Sequence, residues 1–89
     1  MNLNVNWQLR IKSKVYKELN KFSRKDGKRI IFAIKQLPLN LYAGDTEKME
    51  GENHVWRRRI GSYRIFYEIK SNEKIIYVYH IERRTSNTY

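Results

Sequence analysis

The run HVWRRRIGSYRIFYEIKSNEKIIYVYHI, residues 54–81, decides the fold. Three stretches rich in β-branched and aromatic residues, 54–60, 63–70 and 74–81, are separated only by Gly61-Ser62 and by Ser71-Asn72-Glu73. Turns this short predict an antiparallel meander. Side chains alternate across a strand, so Trp56, Arg58 and Ile60 share one face, as do Tyr63, Ile65, Tyr67 and Ile69. The opposite face then carries Arg57, Arg59, Arg64, Phe66 and Glu68. The apolar sets must face a core, which leaves Arg57, Arg59 and Arg64 converging on an open face. The same parity groups His80 with Ile76 and Val78 and predicts a structural histidine. His54, at a strand start, reads as surface. Tyr63, Tyr67, Tyr77 and Tyr79 read as core or sheet-pair residues.

Working outward, residues 5–11 alternate Val5, Trp7, Leu9 and Ile11 against Asn6, Gln8 and Arg10, a half-buried strand. Ser13 is the expected N-cap of a helix that buries Val15, Leu19 and Phe22 and turns Lys14, Lys17, Lys21 and Lys25 outward. Asp26-Gly27 reads as a break, with Asp26 as the next cap. Ile30, Ile31, Ile34 and Leu37 then mark a second buried stripe, which Pro38 stops. So short a connection predicts an antiparallel helical hairpin. Residues 38–53 hold Pro38, Gly44 and Gly51 and no sustained period, and predict a long loop, the most mobile part of the chain. The expected architecture is α+β: two layers in the order β-α-α-β-β-β, with the helical hairpin packed on one face of a small, mainly antiparallel sheet.

The chain has 89 residues, so one domain spanning 1–89 is expected. It has no Cys and two His, which removes disulfides, thiolate catalysis and the usual zinc sites. No metal or cofactor is expected. The N-terminus lacks the apolar run of a signal peptide, and no stretch of 18 apolar residues occurs, so a cytoplasmic protein with no membrane partner is expected.

The net charge of +10 predicts a polyanionic partner. It is unevenly spread: residues 1–37 carry net +8, residues 38–53 net −3 and residues 54–89 net +5. In the first block most cations are Lys. In the last they are mostly Arg: Arg57, Arg58, Arg59, Arg64, Arg83 and Arg84. The guanidinium fork matches phosphate bidentately, so the Arg-rich block is the expected phosphate site. Lys14, Lys17 and Lys21, with Arg84, are candidate RNA contacts on a large anionic surface such as ribosomal RNA. Arg83, Arg84 and Tyr89 lie beyond the last strand, where they could fold over the same patch.

These residues carry a resemblance. WRRRIGSYRIFYEI followed by IIYVYHIERRTSNTY resembles the RelE/ParE superfamily of toxins from toxin–antitoxin pairs. WQLRIKSKVYKELNKF is similar to that family's first strand and helix, and KMEG to its approach to the second strand. The resemblance covers nearly the whole chain. It implies a cognate antitoxin and one of two activities. RelE-like members are endoribonucleases that cut mRNA in the ribosomal A site; ParE-like members inhibit DNA gyrase. The Arg content favours the RelE-like reading, with mRNA and the ribosome as partners. A non-catalytic RNA-binding module remains a third reading.

The resemblance further implies that Arg57 and Arg59 match the paired basic positions, Arg64 the Arg after the Tyr of the next strand, Arg83 the Arg ending the last strand, and Tyr89 the Tyr that stacks on the cleaved nucleotide. Arg84 is an alternative to Arg83, one residue away. In a 2′-OH mechanism Arg57 and Arg59 would stabilise the deprotonated 2′-oxygen and Arg83 would assist the leaving group. Glu68 is an alternative base, though an ion pair with Arg64 is its simpler role. Arg58 departs from the family pattern: it points at the core and must snorkel, or its strand must be irregular.

Overall fold

The computed structural model describes residues 7–40, 44–51 and 54–84. In chain order they form β1 (Gln8–Ile11), α1 (Ser13–Leu19), α2 (Arg24–Gln36), β2 (Asp45–Lys48), β3 (Val55–Ile60), β4 (Tyr63–Lys70) and β5 (Ile75–Arg83). The five strands make one sheet in the order β1-β5-β4-β3-β2. β1 runs parallel to β5, and the other pairs are antiparallel. The expected α+β architecture holds, with one strand more than predicted. No helix among the described residues is long and apolar enough to cross a membrane.

One sheet face and the helices close over the core. Val15, Ile30, Ala33, Ile34 and Leu37 meet Tyr63, Ile65, Tyr67, Ile69, Ile76, Val78 and Ile81. Trp7, Leu9 and Ile11 pack at its margin with Leu19, Phe22, Ile31, Trp56 and Ile60, as the alternation and the helical stripes require.

The helix starts differ from the predicted ones. Lys12, without a side-chain cap, precedes α1, and Ser13 is its first residue. Ser23 caps α2: its Oγ accepts from the Asp26 backbone N–H at 3.1 Å. Gly27 therefore lies inside the first turn, its N–H donating to the Ser23 carbonyl at 2.9 Å. Asp26 is displaced from the cap to the first turn, where a carboxylate suits the helix dipole. There it accepts from the Tyr63 hydroxyl at 2.7 Å and ties α2 to β4.

That bond, burial and the Asp26 charge raise the Tyr63 phenol above its usual 10.0, against the lowering influence of Arg83 and Arg29. Below the unfolded value both states hold the proton and the bond contributes fully. Above it the unfolded chain loses its proton first, so stability falls as pH rises through the folded value. Urea midpoints measured from pH 8 to 11 should show an alkaline decline that is shallower in Tyr63→Phe; equal slopes would rule the bond out as its source.

Residues 38–53 are not simply a loop. β2 pairs with β3, setting Asp45 opposite Arg59, Thr46 opposite Arg58 and Glu47 opposite Arg57. Its four residues, Asp-Thr-Glu-Lys, carry no apolar alternation to betray a strand. Opposite charges directly across a ladder stabilise it, and a charged edge discourages pairing with other chains.

The second departure is in β5. Phe66 pairs with His80 but Tyr67 pairs with Val78, so Tyr79 is an extra residue, a β-bulge. Counting by two from Ile76 would bury His80 and expose Ile81. With the bulge, Ile81 is 3% exposed in the core and His80 faces Phe66 on the open side. Burying an alkyl chain in place of an imidazole avoids a desolvation penalty. Bulges commonly re-aim side chains in this way.

Candidate nucleic-acid interface

The register lays the open face out in rows. One row runs Asp45, Arg59, Arg64, Glu82 across β2, β3, β4 and β5, and the next runs Glu47, Arg57, Phe66, His80. The structure thus brings Arg57, Arg59 and Arg64 together on adjacent strands. Gly61, at φ 58, opens the tight turn that makes this possible. The three guanidinium-bearing residues and Glu47 line a cavity of about 30 Å³, room for little more than a water molecule. An anion the size of phosphate would sit at its mouth.

Arg57 Nη2 donates to Glu47 Oε1. Reduced hydration, followed by the like charges of Arg84, Arg57 and Arg59, lowers the Arg64 pKa below the ordinary guanidinium value, while Glu82 opposes the shift. Such mutual repulsion is relieved when an anion binds.

Arg83 does not join this set. It pairs with Tyr63, whose ring is in the core, and its guanidinium lies 5.7 Å from that ring's centroid, on the helix side. Arg84 continues the ladder, its N–H donating to the Ser62 carbonyl at 2.6 Å. It shares the parity of Glu82 and lies near enough to Arg64 to act on its charge. The one-residue bulge at Tyr79 thus puts Arg84, and not Arg83, on the side of the Arg set.

Other expected residues fall elsewhere. Tyr89 lies outside the described residues. Lys14, Lys17 and Lys21 are exposed on or just after α1, in the helical layer across the sheet from the Arg set, and Lys21 approaches Glu18 at 3.9 Å. Glu68 pairs with Lys70 at 3.9 Å rather than with Arg64. The carboxylate lining the Arg cavity is Glu47, which sequence reasoning missed because it lay in a segment taken for a loop; the acidic excess of residues 38–53 was its one signal.

Arg58 does face the helix side, in a β3–β4 ladder with no register shift, so its strand is regular. Its Nε and Nη1 are buried without a hydrogen-bond partner among the described residues. The head group lies so close to Gly44, φ 73, that a Cβ there would meet Nε at 3.1 Å. Among the described residues no group of three or more His, Asp or Glu could hold a metal ion.

Comparison with known proteins decides the family. The model of the ParE toxin of type II toxin–antitoxin systems matches residues 9–88. This chain belongs to the RelE/ParE superfamily of toxins. A curated relative named as toxin RelE1, from Methanocaldococcus jannaschii, is 31% identical over 84 residues, covering 94% of this chain and 92% of that protein. Among solved structures, the archaeal RelE–RelB complex from Pyrococcus horikoshii contains a chain that superposes with a TM-score of 0.80 at 22% identity, covering 93% of this chain and all of that one. The isolated E. coli RelE toxin superposes with a TM-score of 0.76 at 12% identity, covering 91% of this chain and 87% of that one. At those identities the superpositions establish the RelE fold. They place no activity on this toxin's Arg face.

Proposed function

We propose that this toxin is an endoribonuclease that cleaves mRNA, acting in the ribosomal A site and therefore in the cytoplasm. The observation that carries the reading is the gathering of Arg57, Arg59 and Arg64 on the open sheet face around one small cavity that also holds a carboxylate, with Arg84 near enough to act on the Arg64 charge. In RNA cleavage of this kind the 2′-oxygen attacks the adjacent phosphorus and the bond to the 5′-oxygen breaks, leaving a 2′,3′-cyclic phosphate and a 5′-hydroxyl. Negative charge builds up on the phosphoryl oxygens, and preorganised guanidiniums stabilise it. An ordinary arginine is too weak a base to take the 2′-proton. Glu47, held at the cavity by Arg57, is positioned for that step. Arg84 supports the leaving oxygen until water protonates it. Four guanidiniums favour an anion and repel a divalent cation, so the reading needs no metal.

An antitoxin partner belongs to this proposal, since structures of like fold include RelE–RelB complexes. An acidic segment would suit the Arg face.

The test is to map mRNA 5′ ends after brief induction of the intact toxin and of Arg64→Ala. Codon-phased breaks that vanish in the variant are expected. A second reading, inhibition of DNA gyrase, is favoured by the ParE description of the matching family model. DNA damage without mRNA breaks would establish it instead. Salt-sensitive RNA binding without cleavage, ribosomes included, would leave only a binding module.

A further inference from the structure

The β5 bulge does more than choose between two arginines. By turning His80 outward it completes a group of four aromatic side chains beside the phosphate site. His80 stands directly opposite Phe66, with ring centroids 5.3 Å apart and planes tilted by 43°. One row further along, Tyr77 lies opposite Glu68, and its ring is 6.2 Å from that of Tyr79, the bulged residue. All four are half-buried, so ring surface is left to solvent on a face the helices do not cover. Core packing does not need them, for the core is closed by Tyr67, Val78 and Ile81 on the other side.

Their position relative to the charges is what suggests an occupant. Phe66 lies directly across from Arg57, and its neighbour two residues back on the same face is Arg64. Strands are spaced about 4.8 Å apart, so a phosphate at Arg57, Arg59 and Arg64 lies one strand or one residue pair from the Phe66 ring. A basic site beside partly exposed aromatic surface is the pattern that binds single-stranded nucleic acid, in which phosphates meet cations and splayed bases stack on rings.

We infer that Phe66 and His80, with Tyr77 and Tyr79 beyond them, form a stacking shelf for unpaired RNA bases next to the phosphate held by Arg57, Arg59 and Arg64. This rests on the ribonuclease reading and specifies its substrate as single-stranded at and beside the scissile phosphate. The shelf fixes which nucleotide is presented. The arginines, blind to base identity, supply the charge.

The experiment uses short single-stranded RNAs carrying 2-aminopurine at successive positions and a 2′-deoxy sugar at the scissile position, titrated with the full-length toxin. Fluorescence should be quenched at one or two adjacent positions only. Phe66→Leu and His80→Gln should each abolish that quenching and weaken binding by about 5- to 150-fold, with the dependence on salt unchanged because the phosphate contacts remain. Binding without position-specific quenching, or quenching that survives both substitutions, would overturn the shelf, leave the ribonuclease reading standing and give the aromatic face to a protein partner. Failure of every RNA to bind at low salt would overturn the shelf and leave the ribonuclease reading to the mapping of mRNA 5′ ends, in which ribosomes are present. Should Phe66→Leu fail to fold, His80→Gln and the positional pattern of the unaltered toxin decide the matter.

Discussion

Arg64→Ala should lower RNA cleavage by about 10²–10³-fold with little change in melting temperature, and Arg84→Ala should move in the same direction. Arg64 sits between Arg59 and Glu82 in its row and experiences the charges of Arg84, Arg57 and Arg59 together. It is the centre of the cluster, and its removal takes away the donor best placed to meet charge on a phosphoryl oxygen. Arg83→Ala should behave in the opposite manner. Its guanidinium stacks on Tyr63 on the helix side, so its loss should lower stability and leave cleavage per folded molecule near that of the parent. Measured side by side, cleavage and thermal unfolding give each variant a two-part signature. Loss of cleavage in folded Arg83→Ala, with Arg84→Ala active, would mean that the bulge does not hold in the working toxin.

Glu47→Gln is the second substitution with a large expected effect. If Glu47 accepts the 2′-proton, the amide should cost about 10²–10⁴ in cleavage rate, the range typical of general-base catalysis. RNA binding should hold or tighten, because the carboxylate competes with phosphate for Arg57. Rate and affinity thus move in opposite directions, which a merely structural ion pair between exposed groups would not produce. Single-turnover cleavage together with binding to a 2′-deoxy RNA measures both. An unchanged rate would dismiss Glu47 as the base, and a parallel loss of binding would make it a support for β2.

Much of this was legible beforehand because hydrophobic burial is periodic. The alternation in Tyr63–Lys70 placed Tyr63, Ile65, Tyr67 and Ile69 in the core and Arg64 outside, and β4 is as regular as that pattern assumed. Arg57 and Arg59 followed from the same count along β3 and the short turn at Gly61-Ser62. The stripe Ile30, Ile34 and Leu37 likewise announced α2. β2 was hidden because a four-residue edge strand of polar side chains buries nothing periodic; its pairing is set by Arg57 and Arg59 across the ladder, and with it came Glu47. The cap at Ser23 was obscured by an Asp-Gly pair that reads locally as a break but continues as helix once Asp26 finds Tyr63, far away in sequence.

By itself, then, the amino-acid sequence determined the two layers, the buried faces and the convergence of Arg57, Arg59 and Arg64, since each depends on a residue's distance from its near neighbours along one element. What lies beyond residue 78 was settled only in three dimensions. A strand's parity is local until an extra residue enters it, and whether one enters depends on which side chain the assembled core will accept. Here the core took Ile81 and refused His80. That exchange, which takes one extra residue in β5, left Arg83 on the helix side, brought Arg84 near Arg64 and set His80 beside Phe66.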